Sequence, residues 1–177
     1  MQLHIKSTDT VEEVTALRTL FEDYLKYVYW SENALAPLFA DLINDISSKD
    51  IVRILMQHTA NTRIHSDRIE KIFESIGIPP EEKKFDAMDS MMREAEIIID
   101  QTSSGSVRDA AIIALIQHII HCEIASYGTL KSFAITLKEE NVVTLLEKNL
   151  QEEKDLDQQL SLVAEAYIND EAANKEY

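Results

Sequence analysis

Apolar side chains along this chain recur three, four and seven residues apart, the spacing that lines one face of an α-helix. Helix start and stop signals divide the pattern into about five segments. The first runs from near Thr10 to Asn44, with Asp9 or Thr10 as cap, Glu12 and Glu13 suiting its N-terminus, and Pro37 implying a kink. The second opens at residues 47–50 and stops at Gly77, just ahead of Pro79 and Pro80. A shorter third covers Asp86 to about Gln101 and ends in the turn-like residues 102–105. The fourth starts at Ser106, with Asp109 three residues on in a capping-box-like arrangement. Asn141 caps the fifth, which continues to about Ala166; the polar tail, residues 168–177, is expected to fray.

Four long helices and one short one predict an all-α fold: a ferritin-like four-helix bundle with one additional short crossover helix between the second and fourth segments. A simple up-and-down five-helix bundle is the rival. Residues 1–177 read as a single domain with its core at about 10–167, and no second domain, repeat or low-complexity stretch is visible. At 177 residues with 45% hydrophobic content the chain is long enough to bury a full core. Three glycines and three prolines leave little material for hairpins, barrels or phosphate-cradling loops.

Charge narrows the partners. A formal net charge of -15 argues against nucleic acid and anionic membranes, because binding to phosphates draws on Lys and Arg. The longest uninterrupted apolar run, residues 110–116, is far shorter than the roughly 20 residues of a membrane span. Cys122 is the single cysteine and the first ten residues lack the apolar core of a signal peptide, so a cytoplasmic protein is expected.

The polar interruptions within the apolar stripes carry the candidate chemistry. The first helix reads Leu25, Val28, Glu32, Leu35, Phe39, with a carboxylate at its centre. The second reads Ile51, Ile54, His58, Asn61, His65, Ile69, Ile72, with three consecutive polar positions. The fifth reads Leu146, Leu150, Glu153, Leu156 or Asp157, and Leu160. In the fourth, Gln117, Ile120, Ile124 and Tyr127 form one stripe with His121 beside it. If the four helices pack together, Glu32, His58, His121 and Glu153 point into one interior near mid-height. Taken singly, Glu32 also reads as a solvated edge residue, His58 and His65 as neutral core histidines, and Glu153 as a partner of Lys148 or Lys154. Carboxylates and imidazoles projecting from facing helices are what binds paired iron or manganese in ferritin-like proteins, but no Glu-x-x-His has both members on a stripe here.

Several words in the chain resemble one family: YWSE (residues 29–32), His58 followed by Thr62, RIEKIFESIG (68–77), DAM (86–88), HCEIASYGTL (121–130) and LQEEKDLDQQL (150–160). The sequence is identified as a member of the YciE/YciF family of bacterial ferritin-like proteins. The resemblance implies a ferritin-like bundle, often a homodimer, linked to stress responses and with no established enzymatic activity. It also implies Glu32, His58, His121, Glu123 and Glu153 as the remaining metal-site candidates, with Glu94 matching a further family glutamate of unassigned role. Two family carboxylates are replaced, by Asn61 and by Ile120, and a dinuclear site needs several carboxylates to offset about four positive charges. The site is therefore expected to be degenerate, with no cofactor held, iron or manganese being the ion if one is.

The expectation is a non-enzymatic structural or stress-associated homodimer, with Tyr24, Tyr27 and Trp30 offering apolar area for the contact. A rubrerythrin-like metal protein with oxidase or peroxidase-type chemistry is the alternative. A third reading is a bundle that binds an unidentified protein through its acidic surface or through Met88, Met91 and Met92, although methionines at that spacing more often fill a core. No Gly-x-Ser-x-Gly is present, and Cys122 on an apolar helix is expected to be inert.

Overall fold

The structure is a computed structural model that describes residues 16–174. Asp9, Thr10, Glu12 and Glu13, expected to open the first helix, lie outside them. The chain order is α1 (Leu17–Leu42), a 3-10 turn (Ile43–Asp45), α2 (Lys49–Ile76), α3 (Asp86–Gln101), α4 (Ser106–Leu137), α5 (Glu140–Val163), a π-helical stretch (Ala164–Ile168) and α6 (Asn169–Ala173). No strand occurs among the described residues, so the fold is all-α.

Helix α1 packs on α2 and on α4, and α5 packs on α4 and on α2. Contacts at the two ends fix the directions. At one end Arg18 of α1 pairs with Glu139, just before α5. At the other, the backbone amides of Ser47 and Ser48 donate to Asp109 of α4, and the Tyr167 hydroxyl lies 2.7 Å from that of Ser48. Helices α2 and α4 therefore run parallel, and the chain between them must travel the length of the bundle. Residues 77–85 are laid along α1, where Lys83 pairs with Asp23 and Lys26 with Glu81, and α3 then packs on α4 and α1. Two antiparallel pairs joined by one long crossover are the ferritin-like arrangement. The up-and-down rival fails because α3 belongs to the crossover.

The stop at Gly77 is as the sequence predicts: the residue takes φ 78, and the amides of Gly77 and Ile78 return to the carbonyls of Glu74 and Phe73. Three other expectations are corrected. Asp109 does not box Ser106 but accepts the two amides that precede α2, because Ser106 is already the first helical residue. Glu139, not Asn141, occupies the position before α5. The tail expected to fray instead buries Ile168, which is 1% exposed, and continues as helix to Ala173, while residues 175–177 lie outside the described residues. Pro37 lies inside α1 without ending it.

Apolar packing forms two clusters stacked along the bundle. One contains Phe39, Leu55, Ile116 and Leu160; the other contains Phe21, Ile72, Leu130 and Leu146. Each such fully buried side chain contributes about 1.5–3 kcal/mol. Met88 is 1% exposed, with Met91 and Met92 packed on the first cluster, so these methionines fill the core. The crossover likewise claims the aromatics of α1: Tyr27 stacks near Phe85 and under Lys83, Trp30 packs on the first cluster, and Tyr24 alone of the three is exposed. By length and apolarity α4 would suffice to cross a membrane, yet in this fold it is packed on α1, α3 and α5 and buries Glu123.

Candidate metal centre

Between the two apolar clusters lies a polar layer. Glu32 enters it from α1, His58 and His65 from α2, Glu123 from α4 and Glu153 from α5, and none is more than 2% exposed. Each sits on its helix's inward stripe, between apolar residues a turn away: Val28 and Leu35 for Glu32, Leu150 and Leu156 for Glu153. On α4 the inward stripe is Ile116, Ile119 or Ile120, Glu123, Tyr127, Leu130.

The imidazole of His65 is the hub. Its Nδ1 lies 3.1 Å from Glu153 Oε1 and 3.4 Å from Glu32 Oε1. The N–H is not aimed along either contact, so the attraction is ionic and not that of a formed hydrogen bond. On the other side of the ring, Nε2 lies 2.8 Å from Glu152 Oε2. Arg68 grips both oxygens of Glu152, at 2.7 and 2.9 Å, and also donates to Asn149 Oδ1 at 2.8 Å. The Asn149 amide donates to the Tyr127 hydroxyl at 3.1 Å, and that hydroxyl donates to Glu32 Oε1. Arg68 thus anchors both Glu32 and His65 through intermediaries. His58 stands somewhat apart, its ring against Phe39 and its Nε2 3.5 Å from the Thr62 hydroxyl.

These surroundings shift the titrations strongly. Burial alone would lower the pKa of His65, but the charges of Glu32 and Glu153 more than reverse this and raise it to about 10. Burial, followed by the charge on His65, pushes His58 down to about 3. Burial raises Glu153 to about 7, with His65 opposing and Glu32 assisting. Glu123 is held well above the usual carboxylate range by burial and then by the charges of Glu153 and Glu32. For half-exposed Glu152 burial is outweighed by its bonds to Arg68 and His65, which lower it.

Seven buried side-chain polar atoms among the described residues lack a hydrogen-bond partner, and six belong to this layer: Glu32 Oε2, His65 Nδ1 and both oxygens of Glu123 and of Glu153. Leaving such atoms unpaired in an apolar interior is expensive. Donor atoms of Glu32, His65 and Glu153 lie within 4.8 Å of one another, as do those of His58, Glu123 and Glu153. Glu153 belongs to both groups, so its carboxylate is placed where a bridging ligand would be. Imidazoles with carboxylates suit divalent iron, manganese and zinc. By residue chemistry and by its unpaired atoms, the layer fits a divalent cation.

Glu32, His58, Glu123 and Glu153 are brought together as expected; His121 is not. Its side chain is 64% exposed and pairs with Asp157 at 3.2 Å. The reason is geometric: residues two apart on a helix point about 200° apart, so His121 and Glu123 cannot both face inward. His65 takes its place, and its seven-residue spacing from His58 was the available signal. Of the two replaced carboxylate positions, Asn61 is only half-buried and accepts a bond from Gln57 at 3.1 Å, while Ile120 is fully buried among apolar neighbours. Glu94 is exposed on α3. Thr62, Arg68 and Glu152 fall within the family words but on none of the apolar stripes, and Asn149 falls within neither.

This chain is 34% identical over 167 residues to protein YciF of Escherichia coli strain K12, covering 94% of this chain and 97% of the relative. The crystal structure of the E. coli stress protein YciF superposes with a TM-score of 0.84 at 32% identity, over 88% of this chain and 99% of that one. YcfI from Rhodopseudomonas palustris superposes with a TM-score of 0.82 at 28% identity, over 89% of this chain and 98% of that one. The family described as a domain of unknown function, DUF892, matches residues 16–173, and the chain belongs to that family.

Proposed function

We propose that this protein is a stress-associated helical bundle that holds a divalent transition-metal cation, or two sharing Glu153, in its central layer. The observation that carries the reading is the set of buried carboxylate oxygens without a hydrogen-bond donor, Glu32 Oε2 and both oxygens of Glu123 and of Glu153, of which Glu153 Oε1 alone has the His65 ring beside it. A buried carboxylate without donors is stabilised by a cation or loses its charge. The stress association is drawn from the description of YciF as a stress protein. The losses at Asn61 and Ile120 weigh less than they do in the sequence, since three carboxylates and two imidazoles still converge. A bound iron or manganese ion would supply Lewis acidity and a redox-active centre in a dry interior. The chain's own groups set its ligands: Tyr127 and Asn149 fix one oxygen of Glu32, leaving the other free, and Glu152 holds His65 by Nε2 so that Nδ1 faces the layer.

The test is elemental analysis of protein purified without chelator, followed by calorimetric titration of the chelator-stripped protein with Mn2+ and Co2+. One or two ions per chain, reduced by Glu153→Ala, are expected. Failure to take up either ion overturns the reading and leaves a metal-free structural bundle. A homodimer is also expected, and light scattering at micromolar concentration that returns a monomer mass removes that expectation.

A further inference from the structure

Of the five inward donors, His58 also lines a cavity. The cavity, of about 130 Å3, lies in the seam between α2 and α5, and its polar wall is Gln57, His58, Asn61, Glu152, Asp155 and Gln159. Above and below the layer the bundle is closed by the two apolar clusters, through which an ion would have to shed its water. We infer that this seam is the port through which a divalent cation reaches the layer, passing from Asp155 at its acidic wall to His58. The inference rests on the metal-binding reading above.

Three features of the wall support it. It carries carboxylates and primary amides and no Lys or Arg side chain, so it favours cations. Glu152 is already paired with Arg68 and His65, which leaves Asp155, bonded among the described residues only to the neutral amide of Gln151, as the wall's uncompensated charge. The amides of Gln57, Asn61 and Gln159 offer oxygens that replace waters of hydration without binding the ion tightly, as a transit site requires. The cavity has room for several waters, hence for a partly hydrated ion. Beyond the wall, the net charge of -15 concentrates cations around the whole molecule. At the inner end His58 shares a three-donor group with Glu123 and Glu153, so a single residue belongs both to the cavity wall and to the layer. The hydrogen bond from Gln57 to Asn61 spans one turn of α2 at this wall, and both side chains must give way or turn their oxygens inward as the ion passes.

The experiment is stopped-flow uptake of Co2+ by the stripped protein, read by the visible absorbance of the bound ion, with the final stoichiometry measured separately. Gln57→Leu combined with Asn61→Leu is expected to slow uptake about tenfold or more, equivalent to about 1.4 kcal/mol on the barrier, at unchanged stoichiometry. Opening the wall with Asn61→Ala is expected to speed uptake, which keeps the inference testable should the leucine variant fold poorly. Asp155→Asn is expected to slow uptake and to weaken its dependence on ionic strength. Wild-type rates in both the leucine and alanine variants would overturn the port. Loss of stoichiometry in the leucine variant would also overturn it, by making Asn61 or Gln57 a ligand, while leaving the metal reading intact. A wild-type protein that binds no Co2+ overturns both.

Discussion

At the scale of the residue, the layer is defined by where protons sit. In the metal-free protein His65 is an imidazolium held by Glu32 and Glu153, with its pKa near 10 against an ordinary 6.5. A histidine raised on folding contributes stability that is fully present below about pH 6.5 and is lost as pH rises through about 10. Glu153, raised to about 7, acts in the same direction between about 4.5 and 7, and His58, lowered to about 3, acts oppositely between about 3 and 6.5. Glu123, held well above the usual carboxylate range, acts in the same direction as Glu153 from about 4.5 upward, so His58 offsets only part of the fall below pH 6.5, and above it His65 and Glu123 act together. Urea unfolding of the stripped protein is therefore expected to show stability falling from pH 6.5 to 9.5, by at most about 1.4 kcal/mol per unit for each group that keeps its proton only in the fold. His65→Gln should reduce that slope, and a flat wild-type profile would show that His65 is not charged in the fold. The sequence made Glu32 and Glu153 visible because each interrupts an apolar stripe, and His58 because it opens a run of three polar positions in one. His65 was visible as a stripe member but lay outside the family words, and Glu123 was visible only through them.

At the scale of the element, what was legible depended on how one-sided each helix is. Helices α1, α2 and α5 bury one stripe, so their inward residues follow from spacing alone. Helix α4 is apolar nearly all round because it packs against α1, α3 and α5, and a helix with several apolar faces gives no direction by which to choose His121 or Glu123. Helix ends were legible where a local signal marks them, as at Gly77 and at residues 47–50; what was illegible was the distant side chain that caps the second of these. Asp109 is 2% exposed and accepts two amides at 2.8 and 2.9 Å from the joint before α2. Asp109→Ala leaves both unpaired and is expected to destabilise the fold by about 1–3 kcal/mol in chemical denaturation. A change of a few tenths would mean that water replaces the carboxylate without loss. The opposite sign is expected at Lys138, which ends α4 with φ 62, a left-handed conformation that strains a residue with a Cβ. Lys138→Gly should stabilise by up to about 1 kcal/mol, since relief of that strain exceeds the added freedom of the unfolded chain. A lower denaturation midpoint for this variant would refute the argument.

At the scale of the whole molecule, the polar layer divides what would otherwise be one continuous core. Two apolar clusters supply the cohesion, and the layer between them holds three carboxylates and two imidazoles whose burial opposes it. A buried ionic group adds stability only when it is fully paired, and replacing it with an apolar side chain of similar size is often neutral or stabilising. Glu123 is the least compensated member: neither oxygen has a partner, and its nearest charges, Glu153 and Glu32, repel it. Glu123→Leu is therefore expected to raise the unfolding temperature of the chelator-treated protein. In the presence of the cation the order should reverse, because a ligand bound only to the folded wild type adds about 2.7 kcal/mol at one hundred times its dissociation constant, and the variant lacks one of the three donors in the His58 group. Thermal unfolding of both proteins, each with Mn2+ and with chelator, reads the crossing directly. If Glu123→Leu is the less stable protein under chelator as well, the layer is a structural network that needs no ion. A crossing would mean that the bundle gives up stability when empty in order to bind.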